Sequence, residues 1–243
     1  MNKHLLAGFC LLSASLFFAC SQSTGLQSGT MVGHVILVNN NGSQPADRSH
    51  VAVLVEGRTD TVFTDANGSF TLSASEGIYS LSFSKAGYGT MKSINNWFPG
   101  GGQMVVNTVT LSQPPTFSVS GFSVTKPTNS TSLNVADTLT DTNSVARRLI
   151  LFLGRTSTVS SNPANYFATN TLTPTVSKGI STSTITQTTL RNSGFVAGDT
   201  IWFVAYAANE YGQNSTYTDA VSGRITYANL NATPSKTVFV VSP

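Results

Sequence analysis

The stretch Thr64-Asp-Ala-Asn-Gly-Ser-Phe70 decides the predicted fold of the first half of this 243-residue chain. Short strand-like segments, 59–64 and 69–74, lie on either side of its turn residues. Gly68 can adopt the left-handed backbone conformation that a tight turn needs, and Asp and Asn favour turns through their short polar side chains. The stretch therefore predicts a β-hairpin.

Further short strands are predicted on both sides of this hairpin, at 32–38 and 104–111. Two more segments alternate apolar and polar residues, so that each has one apolar face: Val51, Val53 and Val55 in one, and Tyr79, Leu81 and Phe83 in the other. A period of two is typical of a half-buried strand. Six or seven such strands with no helical period predict an all-β sandwich over residues 30–112.

The order of these turns and strands resembles the carboxypeptidase regulatory-like domain, which has a transthyretin-like sandwich. The matching residues are Gly33-His-Val35, Gly42 with Pro45, Val51-Ala-Val53, Thr64 to Phe70, Gly77-Ile-Tyr-Ser-Leu81 and Gly87-Tyr88. The resemblance implies a stalk, spacer or binding module attached to another element, since that is how such domains usually serve. The chain departs from the pattern at 43–49 and at 93–103, where we expect longer loops that carry specificity.

A second β-sandwich is predicted over residues 116–243. Pro114-Pro115 marks the boundary, because consecutive prolines stiffen the chain and cannot donate to a sheet. Strands are expected at 116–125, 132–139, 148–153, 180–190, 200–208 and 220–227, and an edge strand of either domain at 236–241. The passage 190–215 resembles the strand-F region of a fibronectin type III domain, although Ile201 stands where that family has a tyrosine. Another immunoglobulin-like subtype is the alternative.

The N-terminus has the pattern of an export signal. An apolar run from Leu5 to Ala19 follows Lys3 and His4, and it is too short to span a membrane comfortably. Leu16-Phe-Phe-Ala-Cys20 resembles a bacterial lipobox, which implies a signal peptide at 1–19, a lipidated Cys20 that anchors the protein to a membrane, and a flexible tether at 20–29. We therefore expect a cell-envelope lipoprotein, in the outer membrane. An uncleaved anchor and a plain secretory signal are the alternatives.

Composition and motifs favour a non-catalytic protein. The net charge of +3, with Arg147-Arg148 as the only adjacent basic pair, excludes the clustered basic footprint of a nucleic-acid-binding protein. Neither His34 nor His50 begins a His-x-x-Glu motif, so we predict no metal site, no cofactor and no catalytic residue, and a hydrolase is a remote alternative. Asp65 and Asn67 offer oxygens to calcium, but a turn-capping role needs no further ligands.

Trp97 and Phe98 are the candidate ligand contacts. They precede Pro-Gly-Gly-Gly in the expected loop, and aromatic rings there can stack on a glycan or enter a partner's pocket. Closure of their own sandwich, or packing on the second domain, is the alternative.

Trp202, Val204 and Tyr206 form a second candidate surface. If Ile201 and Phe203 face the core, these three residues lie on the opposite face of an apolar strand, which must be covered or exposed. Packing between the domains is the simpler explanation, and an envelope protein partner is the other.

The sequence thus predicts a binding or spacer module, for a glycan, with a protein-interaction stalk as the alternative.

Overall fold

A computed structural model of the chain describes residues 25–140, 147–173, 180–212 and 215–243. Within these residues the chain forms seventeen strands and one short helix, which confirms the predicted all-β fold class. The expected signal peptide, Cys20 and the start of the tether lie outside the described residues. Across the part that is described, none of the helical structure is long and apolar enough to cross a membrane.

The first eight strands form a β-sandwich, here called the N-terminal sandwich. They are β1 (Ser28–Val38), β2 (Ala52–Val55), β3 (Thr61–Phe63), β4 (Ser69–Ser75), β5 (Gly77–Ser84), β6 (Met91–Phe98), β7 (Gln103–Val105) and β8 (Val109–Ser112). One sheet has the order β3-β2-β5-β6, and in the other β1 pairs with β4, β7 and β8. The predicted apolar faces of β2 and β5 pack together in the core between the sheets.

The stretch at 64–70 turns the chain as expected but does not form a hairpin. β3 pairs with β2 in one sheet, and β4 pairs with β1 in the other, so the turn carries the chain from sheet to sheet. The Asp65 carboxylate accepts a hydrogen bond from the Ser69 amide at 2.8 Å, which caps the turn. Gly68 has a φ of +87°, and a Cβ there would overlap the Val35 carbonyl oxygen. Contacts with β1 thus override the local pairing that the turn alone suggests.

The second half forms the C-terminal sandwich. Its strands are β9 (Val119–Thr125), β10 (Ser132–Leu139), β11 (Arg148–Gly154), β12 (Ala168–Leu172), β13 (Ile180–Thr186), β14 (Thr200–Ala208) and β17 (Val238–Val241), with the hairpin β15 (Thr216–Thr218) and β16 (Ile225–Tyr227) placed between the last two. The sheets β13-β10-β9 and β12-β11-β14-β17 enclose a second core. The tail strand therefore pairs with β14, which settles the choice that the sequence left open.

The strand expected at 104–111 is divided into β7 and β8, and only β16 forms within the strand expected at 220–227. Two other local predictions are also wrong. The strand expected at 180–190 ends at Thr186, whose side chain accepts a hydrogen bond from the Thr189 amide and caps a helix, α1 (Gln187–Asn192). The loop expected at 93–103 is a strand up to Phe98, with Asn95 in a left-handed conformation at the irregularity in its pairing. In both cases a side-chain or cross-strand hydrogen bond, rather than periodicity, fixes the element.

A β-hairpin from the second half of the chain packs against the N-terminal sandwich. We call residues 215–230 the strap hairpin; its Tyr217 and Ala228 pack against the N-terminal core. Buried Ser112 and Ser215 are hydrogen-bonded through their hydroxyls at 2.6 Å. Asn209, also buried, donates to the Asn39 and Gln113 carbonyls at 3.3 and 2.8 Å. These buried hydrogen bonds and the apolar contacts of the strap hairpin join the two sandwiches.

Candidate functional site

The candidate site is the solvent side of the sheet β3-β2-β5-β6, here called the outer face. Residues directly opposite one another in antiparallel strands point to the same side. Because Tyr79, Leu81 and Phe83 point into the core, the intervening positions of β5 and their cross-strand partners point outward. The outward residues include Thr61 and Phe63 on β3, Ala52 and Leu54 on β2, Ile78, Ser80, Ser82 and Ser84 on β5, and Lys92 and Trp97 on β6.

Trp97 is presented to solvent by its strand position. It lies directly opposite Ile78, and the two side chains are 54% and 68% exposed. Phe98, the other predicted ligand contact, is its neighbour on an alternating strand and therefore points the other way, into the core, where it is fully buried. Of the predicted pair, only Trp97 faces solvent, and Phe98 closes its own sandwich.

The glycines after Phe98 form a turn that contacts the start of β1. Gly100, Gly101 and Gly102 have φ values of +79°, +66° and +67°, a run of left-handed residues that only glycine adopts without strain. The turn lies against the start of β1, where the Gly102 carbonyl accepts a hydrogen bond from the Thr30 amide at 2.9 Å. The backbone on either side of Trp97 is thus held, by pairing with β5 and by this docked turn.

An ion pair crosses the middle of the outer face. Lys92 on β6 contacts Glu56, which follows β2, and each side chain is about one-third exposed. The hydrogen bond to Glu56 raises the pKa of Lys92 above its usual value. Beneath them, Ser80 and Ser82 supply hydroxyl groups. The middle of the face therefore offers donors and acceptors, and the Lys92 charge is offset by Glu56 and by the Asp219 carboxylate.

The second predicted surface is mostly covered. Val204 and Tyr206 are buried in a cluster with Ile150 and Phe152, on the face of β14 opposite the core, as strand parity predicts. Tyr166 and Tyr227 meet the Phe152 ring edge-on at 5.1 and 5.6 Å. The cover comes from loop and strap residues of the second half itself, rather than from the N-terminal sandwich. Trp202 alone is partly exposed, and its ring centroid lies 4.8 Å from that of Phe239 on β17.

The histidines have structural surroundings. The His34 ring lies 3.4 Å from the Arg48 guanidinium, and His50 contacts the Ser49 hydroxyl at 2.6 Å. No group of three or more metal-binding side chains occurs among the described residues. A cavity of about 320 Å³ at the junction is walled by Arg147, Glu210 and Tyr211, where Arg147 is ion-paired with Glu210 at 2.8 Å. Its charges are thus already matched within the protein.

Comparison with known family models and with curated proteins finds no match. Solved structures of similar shape include a DUF3823 family protein from Bacteroides ovatus ATCC 8483, 17% identical over 89% of this chain and 100% of its own, with a TM-score of 0.34. Another DUF3823 family protein, from Parabacteroides merdae ATCC 43184, is 13% identical over 88% and 99%, with a TM-score of 0.32. A protein from Bacteroides uniformis ATCC 8492, described as a candidate carbohydrate binding protein, is 13% identical over 88% and 98%, with a TM-score of 0.33. At such values, function has to be argued from this chain's own residues.

The sequence predicts Trp97 as a ligand contact, and it does not single out Phe63 or Ile78, which are exposed on the same face. Phe63 is 61% exposed on the outer face, although nothing in the segment 59–64 distinguishes it from a core residue. Its neighbour Val62 packs against the core instead. For Ile78 the sequence offers only strand parity, because it precedes Tyr79, which belongs to the predicted core face.

Proposed function

We propose that this chain is a non-catalytic binding module whose outer face binds a neutral glycan, on two sandwiches held in fixed relation by the strap hairpin. The observation that carries the proposal is Trp97, which is exposed beside Ile78 on the solvent side of a sheet. Exposed aromatic side chains on a rigid frame supply contact area at little entropic cost. A sugar ring has an apolar face that suits the indole and hydroxyls that suit the nearby polar groups.

The domain assignments belong to the same proposal. Residues 30–112 would be a carboxypeptidase regulatory-like domain and 116–243 a fibronectin type III-like domain. Support for the second comes from its seven strands in sheets of three and four, the strand count of an immunoglobulin-type sandwich. The strap hairpin is an addition between the last two of those strands.

Trp97→Ala is expected to weaken glycan binding at least about tenfold, which corresponds to about 1.4 kcal/mol of lost contact free energy. The measurement is affinity electrophoresis of the full protein through gels that contain neutral polysaccharides, after a glycan array has found the retained class. Phe239→Ala is the matched control, since Phe239 is a comparably exposed aromatic, at 58%, on the other sandwich. Equal binding by wild type and Trp97→Ala would remove the outer face from the proposal.

We further propose that the module is held at the cell envelope by lipid on Cys20, as an outer-membrane lipoprotein. Two or three acyl chains anchor stably, whereas one holds marginally, so no contact of the sandwiches with the bilayer is needed. Mass spectrometry of the mature N-terminus should show an acylated Cys20, and Cys20→Ala should release the protein from membranes. An unmodified residue 20 would contradict the anchor while leaving the binding proposal intact.

Binding of an envelope protein is the second candidate function. It is favoured by the Trp202–Phe239 contact and by Val241, which is exposed on the same edge strand, β17. Exposed edge strands are templates for pairing with another chain. The Phe239→Ala control discriminates the two functions, since loss of partner retention in that variant, with glycan binding unchanged, would identify this edge as the partner surface.

A further inference from the structure

We infer that the outer face binds an extended neutral glycan along a diagonal from Trp97 to Phe63, and that Phe63 sets the chain length that is recognised. This inference rests on the proposed glycan function. It extends that function by naming the ligand's shape and charge and a second contact residue. Its basis is the register of four paired strands, which places exposed apolar side chains at two opposite corners of one face.

The register fixes the two corners. On one corner, Trp97 and Ile78 are opposite one another at the outer edge of the sheet. On the other, Phe63 lies opposite Ala52, which lies opposite Ser84 at the far end of β5. Both corners face the same side of the sheet. Successive strand residues point to opposite sides, so Ser84 and Ile78 point away from the core that their neighbours Phe83 and Tyr79 enter.

Only a long ligand can contact both corners at once. Six residues along β5 and three strand spacings across the sheet give a diagonal of about 25 Å. A disaccharide cannot reach both corners, whereas a chain of several sugars can. Leu54, Ser82 and the Lys92–Glu56 pair lie on the same face between the two aromatic rings.

The middle of the diagonal defines the ligand's chemistry. Ser80 and Ser82 lie between the corners, and the Lys92–Glu56 pair lies over them with both side chains partly exposed. Serine hydroxyls, an ammonium and a carboxylate can all hydrogen-bond to sugar hydroxyls. The Lys92 ammonium is paired with Glu56 and is also attracted by the Asp219 carboxylate of the strap hairpin, so its positive charge is offset within the protein. The face therefore complements an uncharged chain, and an acidic polysaccharide would be repelled by these two carboxylates.

The test is a length series with the full protein. Oligosaccharide ladders from disaccharide to hexasaccharide, built on β-1,4-glucose, β-1,3-glucose, β-1,4-mannose and β-1,4-xylose, are titrated by calorimetry. Wild type is expected to bind one ladder with affinity that rises about tenfold or more between the short and the long members, as the second corner is reached. A galacturonic acid hexamer serves as the acidic arm and is expected to bind at least tenfold more weakly.

Phe63→Ala is expected to reduce hexasaccharide affinity to that of the short members and to leave the short members unchanged. Phe63→Tyr, which keeps the ring, is expected to retain the length dependence, and Phe239→Ala is the control on the other sandwich. Trp97→Ala is expected to weaken every member of the ladder. Thermal melts of each variant check that the sandwich remains folded.

The outcomes separate the inference from the function on which it rests. Affinity independent of length in wild type, or equal losses for short and long chains in Phe63→Ala, would overturn the diagonal while leaving glycan binding at Trp97. Tighter binding of the galacturonic acid hexamer would overturn the neutral ligand class. Failure of every ladder to bind would overturn the proposed function and the inference together.

Discussion

Gly89→Ala is expected to lower the free energy of unfolding by about 3 kcal/mol and to loosen the strap hairpin from the N-terminal sandwich. A Cβ at Gly89 would overlap the carbonyl oxygen of Ala228 and lie 2.5 Å from its carbonyl carbon. Both are backbone atoms, so no side chain can rotate away. The Gly89 amide also donates to the Ser112 carbonyl at 3.0 Å, which ties its own backbone in place. Relief therefore requires the strap to move.

Urea denaturation followed by circular dichroism measures this loss. Gly25→Ala is the control, because a Cβ at Gly25 meets nothing within 4 Å and the substitution should be neutral. Limited proteolysis in the strap should speed up in Gly89→Ala and not in Gly25→Ala. An unchanged urea midpoint for Gly89→Ala would mean that the close approach to Ala228 is not maintained in solution.

Asp137→Asn is expected to stabilise the protein at pH 7, by about 1–2 kcal/mol. Asp137 is buried on the core-facing side of β10, in line with Leu133, Val135 and Leu139. One of its carboxylate oxygens accepts a hydrogen bond from the Ser181 hydroxyl at 2.7 Å, and the other is buried with no partner. Burial raises the pKa of Asp137 above its usual value of 3.8, with the Ser181 bond acting in the opposite direction.

The pH dependence distinguishes this cause from a simple packing effect. Because the folded-state pKa is raised, protonation favours folding, so the cost is absent below pH 3.8 and grows as the pH rises through the folded-state pKa. The advantage of Asp137→Asn should therefore vanish on acidification. Asp199→Asn is the contrast. The hydrogen bond that the Val196 backbone amide donates to Asp199 lowers the pKa of that carboxyl. Its stabilising effect is therefore present above the unfolded-state pKa and disappears as the pH falls through the folded-state pKa. Parallel urea titrations that show no pH-dependent difference for Asp137→Asn would contradict this account.

Strand parity predicted the two-faced character of β14 correctly, because alternation is a local property. Ile201 and Phe203 face the core, and Val204 and Tyr206 face the other way. The identity of the cover was beyond local reasoning. Tyr166 and Tyr227 are distant in sequence from β14 and reach it only through the loop and the strap.

The outer face is likewise beyond local sequence reasoning, because it depends on the pairing of strands. Alternation identifies the apolar side of β5, and it says nothing about where β3 and β6 place their outward residues until the pairing is known. The sequence predicts a loop over 93–103, and Ser93, Asn95 and Asn96 interrupt any apolar period in the part of it that belongs to β6. The Asn96 side chain instead donates to the Tyr79 carbonyl at 3.1 Å, at the irregularity of the β5 pairing. A polar sequence thus forms a strand through tertiary contacts.

The strap hairpin has a consequence for how the chain is made. Ser112 and its hydroxyl partner Ser215 are 103 positions apart. At ordinary ribosomal speeds, that separation corresponds to a delay of about 5–20 s between the appearance of the two residues. During that interval the surface that receives Tyr217 and Ala228 is bare. The N-terminal sandwich thus exposes an apolar surface to chaperones and to other copies of the nascent chain. Its packing is complete only when residues 215–230 have been synthesised.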